Sequence, residues 1–206
     1  MPNIIEAFST DGKWYQMVPS YSIYTLVARQ SDVGEECGWT IGEAVRLLDS
    51  KPEGTEFLTF TTRDSVLLSS ITMAGNQFID WESGKCSFDS EGFIELLHFA
   101  NRFPEEGNEV YTEDFWMNYD AMWREGKVIC QITNISDFRN YNYVAKGSFG
   151  EPITMIGFPS ENEEGTAIMP GMRLAMSAKS KNKEGTFAFM RYFLTDEYQS
   201  DSEIFF

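Results

Sequence analysis

Histidine is nearly absent from this 206-residue chain and basic residues are scarce: His98 stands alone, and 16 Lys and Arg face 32 Asp and Glu for a net charge of -16. That acidity repels phosphate backbones and anionic headgroups, so nucleic acid and membrane surfaces are excluded as direct ligands. His98 lies inside an apolar helical stretch with no partner motif and reads as a core or boundary side chain, not a catalytic one. Cysteine is equally thin: Cys37, Cys86 and Cys130 are far apart, with neither CxxC spacing nor an even count, and are expected to be buried free thiols. No stretch approaches the roughly 20 apolar residues of a membrane span, and the first residues, Met-Pro-Asn-Ile-Ile-Glu, lack the basic and apolar regions of a signal peptide. Either the protein is cytosolic or its natural start lies outside this sequence. Walker-type, GxGxxG, GxSxG and HExxH patterns are all missing, so the expectation is no cofactor, no metal and no catalytic residue.

What the chain has is apolar material: 42% hydrophobic and 15% aromatic residues, enough to bury the core of one domain or two small ones. Asp11-Gly12 supplies a turn before the β-favouring Trp14 to Val18, and Tyr21 to Ala28 continues extended. Thr40-Ile-Gly-Glu43 is a capping box that starts a helix over about Ile41 to Asp49. Phe57 to Phe60 reads as a strand, Arg63 to Ala74 as a helix, and Phe78 to Phe88 as a short hairpin around Glu82-Ser-Gly-Lys85. Phe93, Leu96, Leu97, Ala100 and Phe103 recur at helical spacing after Asp89 or Ser90. Another helix is expected from near Thr112 to Gly126, then a strand over Val128 to Thr133 and a short helix begun by Asn134 or Ser136. Ile153 to Phe158 suits a buried strand and Arg173 to Ser177 another. Phe187, Met190, Phe193 and Leu194 give a closing amphipathic helix. Strands alternating with helices imply an α/β fold with a mixed central sheet flanked by helices.

Aromatic and amide side chains fall near the ends of these elements, where a cleft would be lined. Sugars are bound by laying their C–H faces on aromatic rings while amides, carboxylates and Arg take the hydroxyls. Trp116, Tyr119, Asn134, Asp137, Tyr141 and Arg173 have that chemistry. Trp116 and Tyr119 are also the sort of residue that builds a helix's core face, and Asn134 has a rival use as a helix cap. Arg63 and Asp64, at a strand-to-helix junction, are candidates on the same terms. The adjacent pairs Glu35-Glu36, Glu105-Glu106 and Glu163-Glu164 suit solvated turns better than a glycosidase pair, because neighbours on a strand or loop point apart.

The order of motifs resembles the family 1 extracellular solute-binding proteins of bacterial ABC importers, the maltose-binding-protein-like group. The resemblance rests on Asp11-Gly-Lys-Trp-Tyr-Gln-Met-Val-Pro19, Gly38-Trp-Thr-Ile-Gly-Glu43, Gly75 to Ser90, Met122-Trp-Arg-Glu-Gly-Lys-Val-Ile-Cys-Gln-Ile-Thr133, and Gly171 to Ser177 with the Lys179 to Gln199 segment. It implies a periplasmic-binding-protein-like lobe: residues 1–30 as a strand entering the lobe, 31–206 as the C-terminal lobe of a two-lobe receptor, truncated at both ends. It implies a carbohydrate solute, mono- or oligosaccharide, held between lobes and passed to ABC permease subunits. The whole receptor would be monomeric and extracellular or periplasmic, touching membrane only through a lipid anchor on a missing N-terminus. The loop Asn134-Ile-Ser-Asp-Phe138 is similar to the family's ligand-contacting loop, with Ser136 near the position where relatives often carry an aromatic. A secreted carbohydrate-active enzyme or accessory domain, and a ligand-free lobe that engages a protein partner, are the readings from other classes.

Overall fold

β1 (Met17–Arg29), thirteen residues rich in β-branched and aromatic side chains, organises the fold. The structure, a computed structural model, describes residue 6, residues 8–107 and residues 118–200. The chain divides into two compact units, 1–22 with 168–206, and 23–167. The division falls within β1 and at the start of β6 (Ala167–Leu174).

In the unit 23–167, β1 pairs antiparallel with β4 (Cys130–Ile135), from Ile23 opposite Ile135 to Ala28 opposite Cys130, and with β5 (Ile153–Thr154). A parallel bridge between Glu56 and Val128 extends this sheet and makes it mixed. Successive residues of β1 point to opposite faces, and both faces are covered. Leu26 and Ala28 enter a core with Trp39, Ile41, Val66, Leu96, Phe99 and Phe158. Val27 enters a second core with Trp123, Val128, Val144, Phe149 and Ile153. The fold is therefore α/β, a mixed sheet between two helical layers.

The first layer follows the capping chemistry closely. After α1 (Gln30–Val33), α2 (Ile41–Ser50) begins at a complete capping box: Glu43 N donates to Thr40 Oγ1 at 3.2 Å and Thr40 N to Glu43 Oε2 at 2.8 Å. The Thr40 amide and hydroxyl hold the Glu43 carboxyl below its ordinary range. Its contribution is present above the unfolded-state pKa and lost as pH falls through the lower folded one. Thr40→Ala is thus expected to cost about 1 kcal/mol at neutral pH and less in acid, read from urea unfolding at the two pH values. Thr62 caps α3 (Arg63–Ala74), and Ser90 caps α4 (Glu91–Ala100). Between them lies the hairpin of β2 (Ile79–Asp80) and β3 (Lys85–Cys86).

Four expectations are corrected. Phe57 to Phe60 forms only the start of a pairing, because Phe60 adopts φ 56, left-handed backbone that no strand can continue. The strand expected over Ile153 to Phe158 ends at Thr154, and Gly157, at φ 82, turns the chain. The short helix α6 (Phe138–Asn142) is capped by Asp137, not by Asn134 or Ser136. Of the three thiols only Cys130 is buried; Cys37 and Cys86 lie on an exposed loop and an exposed hairpin strand. Burial pushes the Cys130 thiol well above its usual range.

The helix expected from Thr112 falls largely outside the described residues; within them the short helix α5 (Ala121–Arg124) follows a turn at Tyr119 and Asp120. Gly126, at φ 72, closes the end of α5. In the unit 1–22 with 168–206, β6 pairs β1, and Ser22 Oγ donates to the Met169 carbonyl at 3.5 Å. α7 (Lys183–Tyr192), capped by Asn182, and α8 (Asp196–Ser200) follow. Phe193 meets the buried Tyr198 ring at 4.8 Å, yet no residue of α7 is buried and Phe187, Phe189 and Leu194 are exposed. The amphipathic pattern is real; its apolar side has no covering layer among the described residues.

Candidate functional site

The C-terminal end of β4 lies at the edge of its unit, because Ile135 pairs with Ile23, the unit's first residue. Beside this strand, the Glu56–Val128 bridge brings the 58–62 segment alongside, with Glu56 N donating to Lys127 O and Cys130 N to Phe57 O, both at 2.9 Å. The left-handed backbone at Phe60 turns this segment away from a regular strand just before α3. The Phe60 ring stacks on Tyr119, centroids 5.9 Å apart and planes 15° from parallel. Tyr119 in turn meets Trp123 edge-on at 4.9 Å. These residues, with Thr61, Gln131 and Ile132, line a recess of about 220 Å³. Burial, and secondarily the Asp120 charge, holds the Tyr119 phenol above its ordinary value, so it is neutral at physiological pH.

The polar residues of this edge are fixed to different degrees. Asn134 is exposed on β4, opposite Tyr24. Asp137 accepts from Asn140 N at 2.8 Å and, on its other oxygen, from Ser136 Oγ at 2.8 Å. The Asn140 amide is the largest cause, and the Ser136 hydroxyl a further one, of an Asp137 carboxyl held below its ordinary range and ionised at neutral pH. Arg63 donates to Glu105 at 3.2 Å, and its backbone N–H bonds the Pro104 carbonyl. Asp64 is exposed in the first turn of α3.

The structure therefore brings Tyr119 together with Phe60 and Gln131, and sets Asn134, Ser136 and Asp137 in one short run at the end of β4. Arg63 and Asp64 begin the helix that follows the Phe60 segment. Trp116 lies outside the described residues. Arg173 is exposed on β6 and belongs to the other unit. Tyr141 donates to the Ile153 carbonyl at 3.4 Å and packs on the second core. Sequence reasoning missed Phe60 and Gln131, which line the recess with Tyr119. Phe60 looked like a strand residue, and its only signal, a break before the Thr-Thr-Arg-Asp run, is shared by any helix start. His98 is exposed in the last turn of α4, outside the core.

A second, larger cavity of about 510 Å³ lies near the start of α2, lined by Asp32, Glu36, Cys37, Glu43 and Glu163 among others. Two of its carboxylates are already engaged: Asp32 with Lys51 at 2.5 Å and Glu43 in the capping box. Its one indole, Trp39, is buried and donates to the Gly157 carbonyl at 2.8 Å, so it offers no open ring face. Among the described residues no group of three or more His, Cys, Asp or Glu is placed to hold a metal ion, and no helix is long and apolar enough to cross a membrane.

No curated protein matches the chain in sequence. Solved structures match it in fold at low identity. The sugar-binding protein MalE from Xanthomonas citri superposes with a TM-score of 0.60 at 15% identity, covering 97% of this chain and 53% of its own. The GacH receptor of Streptomyces glaucescens, solved unliganded and with acarbose, gives 0.57 at 17%, with 97% and 53% covered. An ABC transporter solute-binding protein from Thermotoga lettingae, bound to α-D-tagatose, gives 0.56 at 14%, with 97% and 54% covered. The chain thus spans about half the length of the solved structures it matches, and these likenesses establish the fold. A family model described as bacterial extracellular solute-binding protein matches residues 1–202, the model of a family of binding proteins and not of enzymes. The match takes in both units and every described residue, and the chain belongs to the bacterial extracellular solute-binding protein family.

Proposed function

We propose that this chain is part of the substrate-binding component of an ABC importer for carbohydrate, and that the edge of the 23–167 unit supplies one wall of the solute site. The observation that carries this reading is the stacked Phe60–Tyr119 pair beside a recess that Gln131, at the start of β4, also lines, with the exposed amide of Asn134 farther along the same strand. Such a surface offers ring faces for C–H groups and amides for hydroxyls, the pairing that neutral polyhydroxy solutes need. The acid-lined cavity lacks the ring face. Arg63, Asp64, Asn134, Ser136 and Asp137 are the polar residues proposed to rim the site, with Trp116 and Arg173 as candidates elsewhere in the chain.

The half-length match and the uncovered apolar side of α7 support a longer receptor of which this is a piece, one that closes over its solute and engages permease subunits. The extracellular setting follows the family; a lipid anchor and a monomeric state are part of the proposal. A ligand that binds only the folded state must raise the unfolding midpoint. Thermal unfolding against maltose, laminaribiose, D-tagatose and D-mannitol should give a concentration-dependent rise with at least one of them. Asn134→Ala should leave the unliganded midpoint unchanged and weaken the response about fivefold, the loss of one hydrogen bond. An unchanged midpoint across the panel would count against a carbohydrate solute.

A further inference from the structure

The amide oxygen of Gln131 is buried and has no hydrogen-bond partner among the described residues. An acceptor taken out of water and left unpaired is costly, and native interiors keep very few of them, so each one calls for an explanation. Gln131 is the second residue of β4 and lies opposite Val27 in the β1–β4 pairing, which puts it on the side of the sheet that carries the second core. Its side chain lines the recess of about 220 Å³ together with Tyr119 and Trp123. The rest of that wall has little to offer a polar group. Leu58, Phe60 and Ile132 are apolar, and among the described residues no charged side chain lines the recess. The Thr61 hydroxyl is already donated to the Thr59 carbonyl at 3.0 Å, and the Trp123 indole N–H to the Cys130 carbonyl at 2.9 Å.

The recess therefore sets one unpaired acceptor among apolar walls. A sugar face crowded with hydroxyls would strand most of them there, each stripped of water without a replacement, whereas an edge with one hydroxyl beside carbon has its single donor matched. We infer that Gln131 is the specificity-determining residue of this recess and that the solute it takes carries a 6-deoxy sugar, whose C5 methyl packs on the apolar wall while the neighbouring C4 hydroxyl donates to the Gln131 amide oxygen. An ordinary hexose bears a hydroxymethyl group in place of that methyl and would bury a second hydroxyl with no partner. The inference rests on the carbohydrate reading above and adds to it the deoxygenated class and the residue that reads it.

The test titrates wild type, Gln131→Leu and Gln131→Met with two pairs of sugars that differ only at C6: L-rhamnose against L-mannose, and L-fucose against L-galactose. In wild type the 6-deoxy member of at least one pair should bind about tenfold tighter, within the discrimination an apolar pocket makes against one added hydroxyl. Both variants remove the acceptor and keep an apolar side chain of similar reach. Each should raise the unliganded unfolding midpoint by about 2–4 °C, because the unpaired buried oxygen is gone. Each should also weaken the 6-deoxy sugar about tenfold. Greater stability with weaker binding is a combination that a purely structural glutamine would not give. Unchanged affinity in both variants, whatever the midpoint does, assigns Gln131 to the sheet and overturns the inference. Equal or tighter binding of L-mannose and L-galactose, or a response confined to maltose, laminaribiose, D-tagatose or D-mannitol, overturns it and leaves the carbohydrate reading standing. No binding of any of these sugars by wild type defeats both.

Discussion

Trp123→Ala is expected to lower the free energy of unfolding by about 3–5 kcal/mol, the range for deleting a large aromatic from a packed core. Trp123 is 1% exposed, and its indole N–H donates to the Cys130 carbonyl at 2.9 Å. Its ring meets Tyr119 and lies 6.4 Å from Phe149, joining α5, the sheet and the π-helical turn Tyr143–Phe149. Alanine would leave a cavity and orphan the Cys130 carbonyl, two penalties that add. Trp123→Phe separates them: it keeps most of the ring and loses the donor, and should cost about 1–2 kcal/mol. Urea unfolding of the two variants reads both terms. A loss below about 1 kcal/mol for the alanine variant would mean that the second core is not assembled around this ring.

The next largest effect is expected at Gly165. A Cβ on this residue would sit 1.8 Å from the Phe158 carbonyl oxygen and 2.4 Å from its nitrogen, backbone atoms that cannot swing aside. The two strands of chain approach this closely because Phe158 N donates to the Gly165 carbonyl at 2.8 Å, and the pairing seats Phe158 in the first core. Gly165→Ala should therefore cost about 3 kcal/mol, at the upper end for overpacking, since the hydrogen bond and the buried ring must shift together. Gly42→Ala is the control. Its Cβ would meet nothing closer than the Arg46 guanidinium at 3.5 Å, on a helix where alanine is favoured over glycine, so that variant should be neutral or slightly stabilising. Equal behaviour of the two variants in thermal unfolding would contradict the close approach.

Local chemistry made much of this fold readable before any coordinates. Thr40, Thr62 and Ser90 each precede a helix that the structure places within a residue or two of the expected start, because an N-cap is a contact between neighbours. The β2–β3 hairpin was equally legible. What failed depended on backbone conformations that composition does not encode: left-handed Phe60, the early end of β5 before Gly157, and Asp137 as cap in place of two equally suitable neighbours. The two-unit division was invisible for a different reason. β1 runs through it without a break in pattern, so no linker marks the boundary.

Of the site, the sequence supplied residue types but not which would meet. Tyr119 and Asn134 were named for their chemistry, and the structure adds the Phe60 partner that gives Tyr119 a stack. Phe138 closes the run Asn134-Ile-Ser-Asp-Phe138 that resembles the family's ligand-contacting loop, but its open ring was not legible, since an aromatic at the start of a short helix is ordinarily read as core. Its exposure follows from how β4 ends and how the π-helical turn is anchored, which are tertiary facts.

The central claim, that this unit meets its solute through the end of β4 and the Phe60 segment, is tested most directly by amide hydrogen exchange with and without a sugar that raises the unfolding midpoint. The account predicts slowed exchange over residues 58–64 and 133–138, with the 32–43 segment beside the acidic cavity unchanged. Protection confined to 32–43, or absent from both edge segments while the sugar is bound, would contradict it.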